Sequence, residues 1–61
     1  MKFKLEIRRG TEVVHQSTIA DIASWRAQRH AEGIFSAWKK RGADNARLLN
    51  AYNQEIFSWK E

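Results

Sequence analysis

Asp44-Asn45-Ala46-Arg47-Leu48-Leu49-Asn50-Ala51-Tyr52-Asn53-Gln54-Glu55-Ile56-Phe57-Ser58-Trp59-Lys60 reads as a helix when it is wound at 100° per residue. Leu48, Leu49, Tyr52, Ile56 and Trp59 then share one face, the apolar stripe of an amphipathic helix lying on a core. Asp44 stands where an N-cap carboxylate accepts the first orphan backbone N–H groups. The expectation is a helix from residue 44 to residue 60. Phe57 falls well off the stripe, so that helix offers this aromatic no buried place.

Just upstream, Gly42 follows Lys39-Lys40-Arg41, a run of positive charge suited to a helix C-terminus with glycine closing it. The helix that ends there is expected to span 18–41. Ser17-Thr18 opens it, with Thr18 and Asp21 spaced as a weak capping box. Its stripe is Ile19, Ala20, Ala23, Ala27, Ala31, Ile34 and Trp38, with His30 and Ala37 at the edge and Phe35 near the margin. Small alanines let another backbone come close. Such a helix is about 36 Å long at 1.5 Å per residue, against a diameter of roughly 27 Å for a compact chain of this size. Either Gly33 bends it, or a second copy of the chain covers the overhang. The reading favours the continuous helix and hence a homodimer.

Further upstream the periodicity changes. Lys2-Phe3-Lys4-Leu5-Glu6-Ile7-Arg8 alternates strictly, Phe3, Leu5 and Ile7 on one side and charges on the other, as a half-buried strand does. Arg9-Gly10-Thr11 supplies a glycine for a tight turn. Val13 and Val14 resume with β-branched residues. Strands over 2–8 and 12–16 make a hairpin, and a lone hairpin is marginal unless its apolar face packs on something. The expected fold class is therefore α+β, an N-terminal β-hairpin followed by two amphipathic helices (ββαα), in one small domain spanning 1–61.

Sixty-one residues with no cysteine and no proline exclude disulfides and thiolate zinc sites as the source of stability. Trp25, Trp38, Trp59, Phe3, Phe35, Phe57 and Tyr52 supply large buried area instead. The N-terminus meets charge at Glu6 and Arg8 before any apolar run develops, so it is not read as a secretory signal. The longest uncharged stretch, Val13 to Ala20, is too polar to span a bilayer. A cytoplasmic location is the expectation. The net charge of +4 favours acidic partners.

Catalytic chemistry finds no constellation. Ser24 and His30 lie about 120° apart around a helix, out of reach of one another. His15 and His30 have no carboxylate at ligand spacing, and no glycine-rich phosphate loop is present. No enzyme, metal, cofactor or small-molecule substrate is expected.

The cations are more informative. Trp25, Arg26, Arg29, Lys39, Lys40 and Arg41, with Phe57, are the candidate partner-binding residues, because aromatic and arginine side chains dominate binding hot spots. Lys2, Lys4 and Arg8 project from the exposed side of the hairpin. Two functions compete on this evidence. The first is a regulatory or inhibitory module, in size and style like those of phages and mobile elements, that docks on a larger protein. The alternative is a small nucleic-acid-binding protein that uses the first helix or the hairpin. A membrane-surface helix is excluded because the aromatics are spread over several faces.

Overall fold

The fold comes from a computed structural model, which describes residues 1–20 and 23–60. Five elements follow one another: β1 (Lys2–Arg9), β2 (Glu12–Ala20), α1 (Ser24–Lys39), β3 (Asn45–Leu49) and β4 (Glu55–Lys60). The strands form one antiparallel sheet in the order β2-β1-β3-β4. The expected ββαα arrangement is thus corrected to ββαββ: among the described residues there is one helix, and the expected helix over 44–60 is a second hairpin.

Local chemistry explains that correction. Asn50 organises a turn in the middle of the segment. Its Oδ1 accepts the backbone N–H of Tyr52 at 2.8 Å and of Gln54 at 3.0 Å. The Asn53 N–H donates to the Asn50 carbonyl at 3.0 Å, and the Asn50 N–H to the Gln54 carbonyl at 2.9 Å. Asn53 takes φ 63°, a left-handed conformation that asparagine tolerates better than most residues. On either side the chain alternates. Ala46 and Leu48 pair with Trp59 and Phe57 toward the core, while Arg47 pairs with Ser58 on the opposite face. Phe57, misplaced on the helical wheel, has a half-buried inward position in the strand.

The first helix is also shorter than expected. β2 runs on to Ala20, so Thr18 pairs with Lys4 and Ile19 with Phe3. β-Branched residues facing a strand that needs a partner belong in the sheet. The proposed capping box dissolves, since Thr18 lies in β2 and Asp21 lies outside the described residues. Ala23 occupies the N-cap position with no side-chain hydrogen bond. The 16 residues of α1 span about 24 Å, within the 30 Å longest dimension of the molecule. No part of the helix overhangs. Gly33 sits inside the continuous helix and does not break it.

The helix covers one face of the sheet. Ala27, Ala31 and Phe35, four residues apart, are buried on β1, β2 and β3. Below them lie Phe3, Leu5, Ile7, Ile19, Ala46 and Leu48. The small side chains let the helix axis approach the strands, and Phe35 packs with its ring tilted against Trp59 of β4 at 6.4 Å. Both edge strands carry a bulge. Val14 in β2 and Ile56 in β4 are the extra residues, and both pack half-buried on the core. After α1 the chain reverses at Gly42, with φ 97°, and Asp44 ties the junction down. Its carboxylate accepts the Gly10 N–H, with both oxygens at 3.0 Å, and its own N–H donates to the Arg8 carbonyl. Asp44 therefore braces the first hairpin turn and caps no helix.

Candidate anion-binding face

A sheet covered on one side leaves the other to solvent. Strand alternation places Lys2, Lys4, Glu6 and Arg8 of β1 on that open face, because Phe3, Leu5 and Ile7 point the other way. The register carries the assignment across the sheet. Gln16 and Arg47 flank Glu6, Thr18 flanks Lys4, and Asn45 flanks Arg8. Ser58 lies opposite Arg47 and Lys60 opposite Asn45. The open face is mostly polar, with Leu49 beside Lys4 and Val13 beside Arg8 as apolar members.

Glu6 is its centre. This carboxylate is only 6% exposed, and arginines on two strands close over it. Arg8 Nε donates to Oε1. Arg47 grips it as a fork, Nε to Oε1 at 3.2 Å and Nη2 to Oε2 at 3.4 Å. Burial by itself would raise the carboxyl pKa. The hydrogen bonds and positive charge of Arg47 and Arg8 outweigh it and hold the pKa below its ordinary value of 4.5. A guanidinium carries five N–H donors, so the outer edges of Arg8 and Arg47 still point donors away from Glu6. The carboxylate fixes both side chains in place.

Beside this triad runs a cleft of about 360 Å³, lined by Arg8, Asn45, Ala46, Arg47, Glu55, Ser58, Trp59 and Lys60. It lies along the β3–β4 hairpin. Asn45 is held at its floor, its Nδ2 donating to Asp44 Oδ1 at 2.6 Å and to the Gly10 carbonyl at 3.4 Å.

The other basic surface is the outer side of α1. Trp25, 58% exposed, stands there with exposed Arg26, Arg29, Lys39 and Lys40, and Arg41 follows the helix end. Two of these cations rest on rings. Lys39 Nζ lies 5.1 Å from the centre of Phe35, and the Arg41 guanidinium 5.3 Å from Trp38. Trp38 also stacks on His15 at 5.1 Å. Phe57 is separate from this surface. It faces the core on β4, tilted against Trp59 at 6.5 Å, and supplies packing where an exposed contact was expected. Tyr52, 80% exposed at the tip of the β3–β4 turn, takes the place of the outlying aromatic.

Arg47, Asn45, Ser58 and Lys60 were not legible as a surface, because reading 44–60 as a helix scatters them around its circumference. The one available signal was the alternation of Ser58, Trp59 and Lys60 after an asparagine-rich turn. Among the described residues no group of three or more His, Cys, Asp or Glu side chains could hold a metal ion. No described helix is long and apolar enough to cross a membrane. Comparison of the chain with protein-family models, with curated proteins and with solved structures finds no match.

Proposed function

We propose that this chain is a non-enzymatic binding domain for nucleic acid that docks through the open face of its sheet. The observation that carries the reading is the balance of charge on that face. Lys2, Lys4, Arg8, Arg47 and Lys60 stand against Glu6 and Glu55, and Glu6 is already committed to Arg8 and Arg47. Polyanion affinity comes first from such cations, through release of counterions. Gln16, Thr18, Asn45 and Ser58 between them are the side-chain types that hydrogen-bond phosphates and base edges.

The geometry favours a duplex over a single strand. Four strands spaced about 4.8 Å apart make a surface roughly 14 Å across, wide enough to lie over a B-form major groove of ~12 Å and reach the phosphates on both of its rims. Single-strand binders stack bases on aromatics, but Phe3, Phe57 and Trp59 all turn toward α1. Fluorescence anisotropy with a labelled duplex tests the reading. Binding should weaken steeply between about 50 and 200 mM salt, as the loss of several phosphate contacts to counterions requires, and Lys4→Glu should abolish it while Arg29→Glu leaves it intact. The reverse pattern, or no binding at low salt, refutes it.

A protein partner is supported by a different observation, the exposure of Trp25 beside Arg26 and Arg29 on α1 and of Tyr52 on the turn. Loss of binding to a captured protein on Arg29→Glu, with no affinity for duplex, would select that reading. Self-association loses the argument that raised it, because no helix extends past the globule.

A further inference from the structure

We propose that the cleft along the β3–β4 hairpin is a phosphate-binding subsite, in which Arg47 and Lys60 hold the oxygens and Glu6 acts as a positioning residue beneath. The proposal deepens the reading of the open face and depends on it only for where the phosphate comes from. Three features of the cleft converge on a tetrahedral oxyanion. Its cations come from three different strands, Arg8 from β1, Arg47 from β3 and Lys60 from β4, so they surround the space instead of lining one edge. Two of them are held before any ligand arrives, because Glu6 ties the Nε of both arginines to one carboxylate oxygen. A long cationic side chain that is already placed loses less rotamer freedom on binding than a lysine waving from a helix.

Neutral donors complete the set. The Ser58 hydroxyl sits directly across from Arg47, within the ~5 Å of a cross-strand pair, and Lys60 sits directly across from Asn45. The volume of about 360 Å³ accommodates a phosphate together with part of the sugar attached to it. Glu55 at one end opposes a dianion. That carboxylate favours a singly charged phosphodiester over a phosphomonoester, which is the form in which a nucleic-acid backbone presents the group.

The cations on α1 differ in the features that matter. Lys39 and Arg41 rest on the Phe35 and Trp38 rings, whereas Arg8 and Arg47 are held together by one carboxylate.

Two measurements on the full chain test the subsite. The first titrates ¹⁵N-labelled protein with inorganic phosphate at about pH 6, where its singly charged form predominates, with chloride as the control for ionic strength. Saturating shifts should appear at the amides of Asn45, Arg47, Ser58 and Lys60 and at the Arg47 Nε–H, and Lys60→Ala should weaken them severalfold. Lys60 is exposed on an edge strand, so this variant keeps the fold. Shifts that never saturate, or that appear at Lys39–Arg41 instead, overturn the proposal. The second measures duplex affinity for Lys60→Ala and Arg47→Lys across a salt series. Lys60→Ala removes a charge and should lower affinity on the order of tenfold near 0.1 M salt and reduce the salt slope by about 1, whereas Arg47→Lys loses the guanidinium fork but keeps its charge and should lower affinity with the slope unchanged. Duplex binding that both variants leave unchanged overturns the subsite while the open face survives. Saturable phosphate binding with no duplex binding keeps the subsite, assigns it to a phosphorylated small molecule, and ends the nucleic-acid reading.

Discussion

Glu6→Gln exchanges one oxygen for an amide at the centre of the open face and leaves volume and strand propensity almost unchanged. Its consequence can be worked from the contacts. The glutamine carbonyl still accepts one arginine donor, but the fork from Arg47 to both oxygens and the charge assistance from both guanidiniums are lost. Breaking a fully buried ion pair costs roughly 3–5 kcal/mol. The side chains of Arg8 and Arg47 are 34% and 39% exposed, so water recovers part of their solvation, and the expected cost falls to about 1–2 kcal/mol. For a domain of this size each kcal/mol moves the melting temperature by about 4–8 °C, so the variant should melt roughly 5–15 °C lower at pH 7. The pH dependence has a definite sign. The folded-state pKa of Glu6 lies below its ordinary value of 4.5, so its contribution is complete above that value and fades as pH falls through the lower folded one. Thermal melts followed by circular dichroism from pH 7 to pH 2 should show the two proteins converging in acid. Equal melting temperatures at neutral pH, or a gap that persists in acid, would mean that the ionised Glu6 carboxylate does not stabilise the sheet.

Three further substitutions probe the fold. Gly33 is exposed in mid-helix, and a Cβ built there meets nothing within 4 Å; Gly33→Ala should raise stability by about 0.5–1 kcal/mol in a urea melt, and a loss would mean that the helix is not continuous there. The Ser17 hydroxyl is buried without a hydrogen-bond partner, so Ser17→Ala should be neutral or stabilising by up to about 1 kcal/mol, whereas a clear loss of stability by calorimetry would reveal an acceptor or a water that matters. Asn50→Ala removes the side chain that receives the Tyr52 and Gln54 N–H groups and should cost about 1–2 kcal/mol, with amide exchange accelerated first across β3 and β4; protection that falls evenly over all strands would contradict the assigned role of the turn.

The parts of this fold legible in the sequence are those written in local periodicity. Lys2 to Arg8 alternates without exception, and Gly10 marks the turn at φ 64°. The alanines of α1 recur every four residues on the side that meets the sheet. The second hairpin was hidden because Leu48, Leu49, Tyr52, Ile56 and Trp59 satisfy a helical period while Ala46, Leu48, Phe57 and Trp59 satisfy an alternating one. Choosing between the two required β1, whose free edge β3 occupies. The same segment has the β-favouring run Ile56-Phe57 and the turn formers Asn50 and Asn53, and these outweigh the helical stripe once a strand is waiting to be paired. The β2 extension to Ala20 has the same origin, since pairing with Phe3 and Lys2 overrides the small-residue run. The candidate site depended on these pairings. Arg47 meets Glu6 across 41 residues of chain, a contact that no local pattern announces, whereas the exposed cations of α1 were visible from helical spacing alone.

Cross-saturation from a short duplex to ¹⁵N-labelled protein at low salt reports direct contact and not propagated shifts, and so locates the surface that meets nucleic acid. Saturation transfer should fall on Lys4, Gln16, Arg47, Ser58 and Lys60, the uncovered side of the sheet, with Arg29 and Lys40 untouched. Transfer concentrated on Trp25, Arg29 and Lys40, or none at all, would contradict docking through the open face.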